Sequence, residues 1–466
     1  MTDTNRGVIL RAGLTYTICN VILRGINFFT IPLFIRLLTP EEFGRCNIFL
    51  SFESVLYIFS GLAMHASIKN AYYDQKDNYD SFIKNCIYLD FFNSLIILLI
   101  ANILCLFWSK EIDLNFYEVN LLTLAGFCSA VIYVYSSKLV MEYKADSFAL
   151  VSFLTVIVGI VLSLYFILYI FVDDHYFGRI LGAVLGQVIA TVYILWKIFH
   201  TGFCKVNISQ WKYGLKISLP IVPHGLSQVI LSSANRVMIK YIYSTAQAGI
   251  FSFTYIVSLV PQVLFQSVSS IWEPWFFEQM SKNNIDQIRR TSKVYCLSIS
   301  VVFIMMSCIV PEFVRIMATE EYEDAIDLSI IVLMGCYFAT LYTIPCEVEY
   351  YYKKTLHIAT STIVCAIFNI ILNLVLMKIF SYKVAAFTTL IAYFLYFLFH
   401  MYMSYIIGGR WIVDVRKMTL IIVVTLLLFI LSLLLIDYLY IRLSILLFII
   451  VFMLLQWKKI VLLIKR

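Results

Sequence analysis

An arginine stands in the middle of the first long apolar stretch, residues 13–37, accompanied by Thr17, Asn20 and Asn27. On a 3.6-residue helix these four positions share an arc of roughly 80°, and the remaining surface is aliphatic and aromatic. An arginine at bilayer depth costs from ~3 to over 10 kcal/mol, so Arg24 is expected to face protein or a wet cavity. Its planar fork suits a pair of phosphate oxygens. Glu53, near the middle of the neighbouring segment 45–66, is the alternative partner. The sequence leaves both open.

Further polar stripes recur at helical spacing. Segment 45–66 aligns Glu53, Tyr57 and Ser60, with Met64 continuing the face, and segment 214–236 gathers Pro220, His224, Ser227, Gln228 and Asn235. The longest stripe, in 246–272, runs through Tyr255, Ser258, Gln262, Gln266, Ser269 and Glu273. Thr340, Thr343 and Glu347 align in 328–348; Thr362, Asn369 and Asn373 align in 357–377. Hydroxyls and amides in membrane helices commonly pair neighbouring helices, a reading that suits Asn369 and Asn373. The longer stripe exceeds what one helix contact needs and reads as a cavity face. The expected cavity set is therefore Arg24, Asn20, Asn27, Glu53, His224, Gln228, Tyr255, Gln262 and Gln266. His224 fits either an interior hydrogen bond or a proton relay. Pro220 and Pro223 remove backbone bonds ahead of it and mark a hinge or a static kink; Pro32, Pro261 and Pro345 invite bends elsewhere. Glu53 is read as the one firm mid-span acid, which weighs against an acidic, drug-exporting cavity.

No catalytic constellation accompanies these residues. H-E-x-x-H, G-x-S-x-G and Walker A patterns are missing, and no loop is large enough to hold an external active site. The sequence implies a transporter without resident cofactor or metal, and without a nucleotide site. Energy would come from an H⁺ or Na⁺ gradient, the membrane potential, or the substrate's own gradient. The eleven cysteines show no C-x-x-C and read as reduced packing residues.

The elements that must position these residues are membrane helices. With 62% hydrophobic and 14% charged residues, the chain is neither a soluble globular protein nor disordered. The fold class is all-α polytopic, with about 14 spans running from 13–37 to 442–457. The first is read as an uncleaved span rather than a signal peptide. With the N-terminus in the cytoplasm, 24 Lys and Arg fall on cytoplasmic segments against 10 outside, which places both termini inside. The net charge of +7 carries no nucleic-acid signal in such a chain.

A weak repeat divides the spans. Leu37-Leu38-Thr39-Pro40-Glu41-Glu42-Phe43-Gly44 is matched 205 residues later by Ile242-Tyr243-Ser244-Thr245-Ala246-Gln247-Ala248-Gly249. Six spans intervene, so the copies share an orientation about a pseudo-two-fold along the membrane normal. The expected organisation is a six-helix bundle over 1–205, a second over 206–412, and a peripheral pair over 413–466. That last pair, 418–436 and 442–457, shows no inward polar stripe and is expected to face lipid.

The run from Leu23-Arg24-Gly25-Ile26-Asn27-Phe28 to Thr39-Pro40-Glu41-Glu42-Phe43-Gly44 resembles the N-terminus of the Wzx-type polysaccharide flippases. These belong to the multidrug/oligosaccharidyl-lipid/polysaccharide (MOP) superfamily. Ser218-Leu219-Pro220, Asn235-Arg236-Val237-Met238-Ile239 and Ala248-Gly249-Ile250-Phe251-Ser252 are similar to its S-x-P, D-R-x-x-I and G-x-Y-S motifs. Trp272-Glu273-Pro274-Trp275 and Asn369-Ile370-Ile371-Leu372-Asn373 follow in the family's order. Asn235 departs from the usual Asp, Phe251 from the usual Tyr, and Tyr382-Lys383-Val384 replaces a Gly-rich start. The resemblance implies a flippase for undecaprenyl-diphosphate-linked oligosaccharide repeat units, in the bacterial inner membrane, serving O-antigen, capsule or other surface polysaccharide. It further implies work beside a polysaccharide polymerase and a chain-length regulator. The superfamily also contains ion-coupled exporters of small amphipathic compounds, the rival reading.

Overall fold

The computed structural model describes residues 22, 25, 26, 28–112 and 114–451. It is helical throughout, with no strand among the described residues. Ten helices are long and apolar enough to cross a membrane, or up to twelve if two bent pairs each count as one span. Shorter apolar helices, Phe28–Leu37 and Leu439–Val451, fall on the expected first and last spans. The expected all-helical polytopic fold is therefore observed. The chain divides into two compact units, residues 1–233 and 234–466.

In the first unit α1 is Phe28–Leu37, α2 Pro40–Gly61 and α3 Ile68–Asp74. Then come α4 (Tyr79–Ile112) and α5 (Phe116–Met141). The fifth span comprises α6 (Ala145–Phe153) and α7 (Gly159–Tyr165), with π turns at Leu154–Val158 and Phe166–Ile170. α8 (His175–Phe199), α9 (Ile208–Ser218) and the start of α10 (Val222–Ile242) complete the unit. α5 packs against α2, α4 and α8. Met64, Phe82, Ile83, Val131, Val134 and Ile194 belong to the buried cluster around it.

The α7–α8 seam is closer still, because Gly178, Gly182 and Gly186 recur every four residues along α8. A Cβ on Gly182 would fall 2.2 Å from the Ser163 nitrogen, and one on Gly186 2.7 Å from the Gly159 Cα. Small residues at that spacing let membrane helices touch backbone to backbone.

Two spans break. α2 and the Met64–Asp74 segment meet at 53°, through Leu62 (φ 44°) and Ala63 (φ 54°), both left-handed and neither glycine. Such residues cost ~1–3 kcal/mol each and persist only where the surroundings impose them. Asn93 of α4 helps impose them: its Nδ2 donates to the carbonyls of Phe59 (2.5 Å) and Ser60 (2.9 Å), which the break has freed. At the hinge candidate, Pro220 lies in a single 3₁₀ turn, Leu219–Ile221, between α9 and α10, and Pro223 lies in the first turn of α10.

The second unit holds the rest of α10, α11 (Thr245–Ser258), α12 (Val260–Ser281) and α13 (Ile285–Met317). It continues through α14 (Asp324–Leu341), α15 (Thr343–Tyr351), α16 (Thr355–Ile379), α17 (Val384–Gly408), α18 (Val415–Leu434) and α19 (Leu439–Val451). Pro261 opens α12 after a 41° bend at Leu259, and Pro345 lies in the first turn of α15. α14 is buried along nearly its whole length, because α11, α13 and α17 pack around it. This is why it is apolar on every face.

The final pair carries a polar anchor that its apolar pattern does not show. Arg442 is fully buried, and its guanidinium holds Glu312 of α13 with both nitrogens at 2.5 Å. It also donates to the carbonyls of Cys308 (2.7 Å), Leu435 (3.0 Å) and Ile436 (2.9 Å). Ser432 adds a bond to the Ser307 carbonyl at 2.9 Å. The pair is thus anchored by polar contacts, which periodicity missed because Arg442 lies beside the turn whose open carbonyls it satisfies.

Candidate transport site

Thr17, Asn20, Arg24 and Asn27 lie outside the described residues, so the stripe of the first span, and any Arg24–Glu53 pair, is not described. Glu53 itself is buried on α2. Its Oε1 accepts from Ser129 Oγ of α5 and Gln187 Nε2 of α8, both at 2.8 Å. Three helices therefore converge on one carboxylate through neutral donors. One turn along, Tyr57 stacks on Tyr133 at 4.9 Å, and the His65 ring stands 5.6 Å from the same tyrosine. Ser60 and Met64 continue this face and are buried.

His224 of α10 is half-buried, with no hydrogen-bond partner at Nδ1. Ser227 turns back to the Pro223 carbonyl at 2.8 Å, and Gln228 is exposed. Further cations missed by the stripe search sit elsewhere in this unit. The Arg179 guanidinium lies 4.0 Å over the Phe34 ring and donates to Ser163 Oγ at 3.0 Å. Arg45 pairs with buried Glu118 at 3.2 Å and covers the Tyr176 ring at 4.4 Å.

Glu53 is not the one firm mid-span acid. Asp90, well inside the span that contains α4, is fully buried. In the second unit Glu347 and Glu349 are buried on α15. The sequence reading missed Asp90 because a lone acid in an apolar run produces no stripe.

In that second unit the long stripe is divided by the bend at Leu259. Tyr255 and Ser258 of α11 are buried: Tyr255 Oη meets Tyr393 Oη at 3.3 Å, and Ser258 Oγ donates to the Ser329 carbonyl at 3.0 Å. On α12, Gln262 is half-buried and Gln266 exposed. The Arg236 guanidinium lies 5.2 Å from the Tyr255 ring centre, a cation held against an aromatic face.

The amides of α16 form a closed network. Asn373 donates to Asn235 at 2.7 Å and to Asn369 at 3.1 Å; Thr388 donates to Asn373 at 2.6 Å, and Asn235 to Thr389 at 2.7 Å. All five are buried. Asn373 thus bonds across helices to α10 and α17, the use expected of it, while Asn369 enters the network through Asn373 of its own helix.

Lower on α17, His400 Nδ1 meets Glu349 Oε1 at 2.5 Å, and its Nε2 meets Ser361 Oγ at 3.3 Å. Cys346 completes a buried Cys–Glu–His group whose donor atoms lie within 4.8 Å of one another. The direct His400–Glu349 bond fills the edge an ion would occupy, so the group reads as a hydrogen-bonded pair. The ten cysteines among the described residues are free thiols. An apolar cavity of about 210 Å³ lies between α17 and α18, lined by Phe397, Met401, Trp411, Val415, Met418 and Ile422, among others.

Comparison with known proteins places this architecture. Residues 9–280 match the family model described as polysaccharide biosynthesis protein. The protein numbered 1 of the Lsg locus of Haemophilus influenzae is 21% identical over 368 residues, covering 77% of this chain and 89% of that protein. Among solved structures, the lipid II flippase MurJ in an inward closed conformation superposes with a TM-score of 0.65 at 14% identity. That match covers 93% of this chain and all of that one. The Vibrio cholerae MATE transporter VcmN gives a TM-score of 0.58 at 13% identity, over 86% of this chain and 98% of that one. At such identities the two structures establish the fold alone, an all-helical membrane architecture that this chain shares with both. With its model matched over more than half of the sequence, the chain belongs to the polysaccharide biosynthesis protein family.

Proposed function

We propose that this protein is a flippase carrying undecaprenyl-diphosphate-linked oligosaccharide repeat units from the cytoplasmic to the periplasmic leaflet of a bacterial inner membrane. The observation that carries this reading is membership of a polysaccharide biosynthesis family in a chain whose whole fold superposes on a lipid flippase. Arg24 takes the diphosphate, matching its fork to paired oxygens. Gln228, Gln262 and Gln266 offer exchangeable hydrogen bonds to sugar hydroxyls. The lipid tail stays in the bilayer against the apolar cavity between α17 and α18. The 3₁₀ turn at Pro220 supplies the hinge for alternating access. An inside-negative potential favours outward movement of an anion by ~2.3 kcal/mol per charge per 100 mV, less whatever part Arg24 neutralises. The product feeds O-antigen, capsule or related surface polysaccharide synthesis, beside a polymerase and a chain-length regulator.

The buried acids Glu53, Asp90 and Glu347 favour a second reading, an ion-coupled exporter of small amphipathic compounds. Deleting the gene and extracting lipids separates the two. Lipid-linked oligosaccharide accumulating on the cytoplasmic face supports the flippase, and an Arg24→Ala copy should not clear it. Unchanged lipid intermediates together with altered drug tolerance would establish the exporter instead.

A further inference from the structure

Among the buried oxygens of the first unit without a hydrogen-bond partner, four lie on the facing turns of α2 and α4. They are Oδ1 and Oδ2 of Asp90, Oγ of Ser60 and Oγ of Ser94. Asp90, Asn93 and Ser94 stand at i, i+3 and i+4 on α4, so they share a face. Asn93 fixes that face against the last turn of α2 through its bonds to the Phe59 and Ser60 carbonyls. Asp90 Oδ1 lies 3.9 Å from where a Gly61 Cβ would stand, and the same Cβ would fall 2.9 Å from Ala130 of α5. Asp90 therefore lies beside the point where α2 breaks into left-handed backbone at Leu62 and Ala63.

The surrounding charges are engaged elsewhere. On α4, Lys84 donates to Thr201 Oγ1 and the Gly202 carbonyl, and uncharged Cys86 lies one turn before Asp90. From α5, Lys138 is paired with Asp80 and Glu142. Next to α3, His65 stands against the Tyr133 ring; on α9, Tyr213 donates to Asp74. Asp90 thus has no counter-charge among the described residues. An ionised carboxylate cannot be left unpaired in such surroundings, so a bound positive charge must compensate it. The available donors are all hard oxygens, which select a proton or an alkali cation over a soft transition metal.

We infer that Asp90, with the hydroxyls of Ser60 and Ser94, is the binding site of a monovalent cation, Na⁺ or H⁺, at the break of α2. The inference deepens the transporter reading by giving its ion coupling a location, and it rests on that reading only for this consequence. Exchange of the cation loads and unloads the face of α4 that holds the α2 bend, so occupancy and bend are linked.

The test uses the full chain in lipid nanodiscs, with radiolabelled sodium as one probe and the infrared band of a protonated carboxyl as the other. If Na⁺ is the ligand, saturable sodium binding competed by acid falls at least tenfold in Asp90→Asn. It falls less in the Ser60→Ala/Ser94→Ala double variant, and is unchanged in Asp77→Asn, an exposed acid before α4. If H⁺ is the ligand, sodium does not bind, and a carboxyl band missing from Asp90→Asn comes and goes reversibly with pH. Should Asp90→Asn fail to fold, the double variant carries the test: a shift in sodium affinity or in the band's midpoint supports the site. Sodium binding that ignores these substitutions, or a band that does not titrate, would overturn it and leave a permanently protonated structural acid. Neither probe requires the lipid-linked substrate, so failure here and failure of the flippase reading are distinguishable.

Discussion

Replacing Arg442 by Met tests whether the last two helices are held to the second unit by polar contacts. The substitution keeps most of the apolar stem and removes five hydrogen bonds, two of them to Glu312 at 2.5 Å and three to backbone carbonyls. Breaking a buried ion pair by removing one partner costs about 3–5 kcal/mol. Glu312 keeps a side-chain exposure of 23%, so it can turn partly to solvent and the lower end applies. Leaving the carbonyls of Cys308, Leu435 and Ile436 open adds to this only where water cannot reach them. A loss of about 3 kcal/mol in local opening free energy corresponds to roughly a hundredfold loss of amide-exchange protection. It should be confined to peptides covering 430–445 and the facing turn of α13. A double Arg442→Met/Glu312→Leu variant should recover much of the protection, because no uncompensated charge remains. Hydrogen exchange in nanodiscs reads both. Unchanged protection in Arg442→Met, or a loss spread evenly over the second unit, would refute the claim that this one side chain docks the pair.

Two further outcomes follow from packing and from hydrogen bonding. Gly182→Leu puts a branched side chain where even a Cβ would lie 2.2 Å from backbone, so α7 and α8 must separate. The yield of folded protein by size-exclusion chromatography should fall severely, while Gly225→Ala, with only the Ile58 side chain in reach at 3.6 Å, should behave as wild type. Asn373→Ala opens the network of α16 and leaves groups of Asn235, Asn369 and Thr388 without their partners. It should cost about 2–3 kcal/mol, read as a lower thermal midpoint, whereas Thr360→Ala on the exposed face of the same helix should cost under about 0.5 kcal/mol.

The sequence repeat has a physical explanation in the structure. Thr39 caps α2 by accepting from the Glu42 nitrogen, and the Glu42 carboxylate returns a bond to Thr39. Ser244 caps α11 by accepting from the Gln247 nitrogen at 3.2 Å, and its hydroxyl also meets the Gln247 side chain. Both copies are hydroxyl residues followed three positions later by Glu or Gln, the signature of a helix start. The repeat was legible because capping is local chemistry, complete within four residues.

The same distinction separates what the chain alone determined from what needed the tertiary structure. The all-helical, membrane-spanning class, the bend beside Pro261 and the interhelical use of Asn373 all follow from local properties, whereas the structure shows ten to twelve spanning helices among the described residues where apolar length alone suggested about fourteen. Apolar length, a missing backbone N–H and a side-chain cap act within a few residues of where they are written. Asp90, Arg442, and the Glu349–His400 pair were not legible in this way. Each is a single charged or titratable residue whose meaning depends on a partner, or the lack of one, on a distant helix: Glu312 for Arg442, His400 for Glu349, and for Asp90 the unpartnered hydroxyls beside a break in α2. Periodicity finds a face because a face repeats. A lone buried charge does not repeat, and only the packing of other helices around it decides whether it is an anchor, a pair or a site.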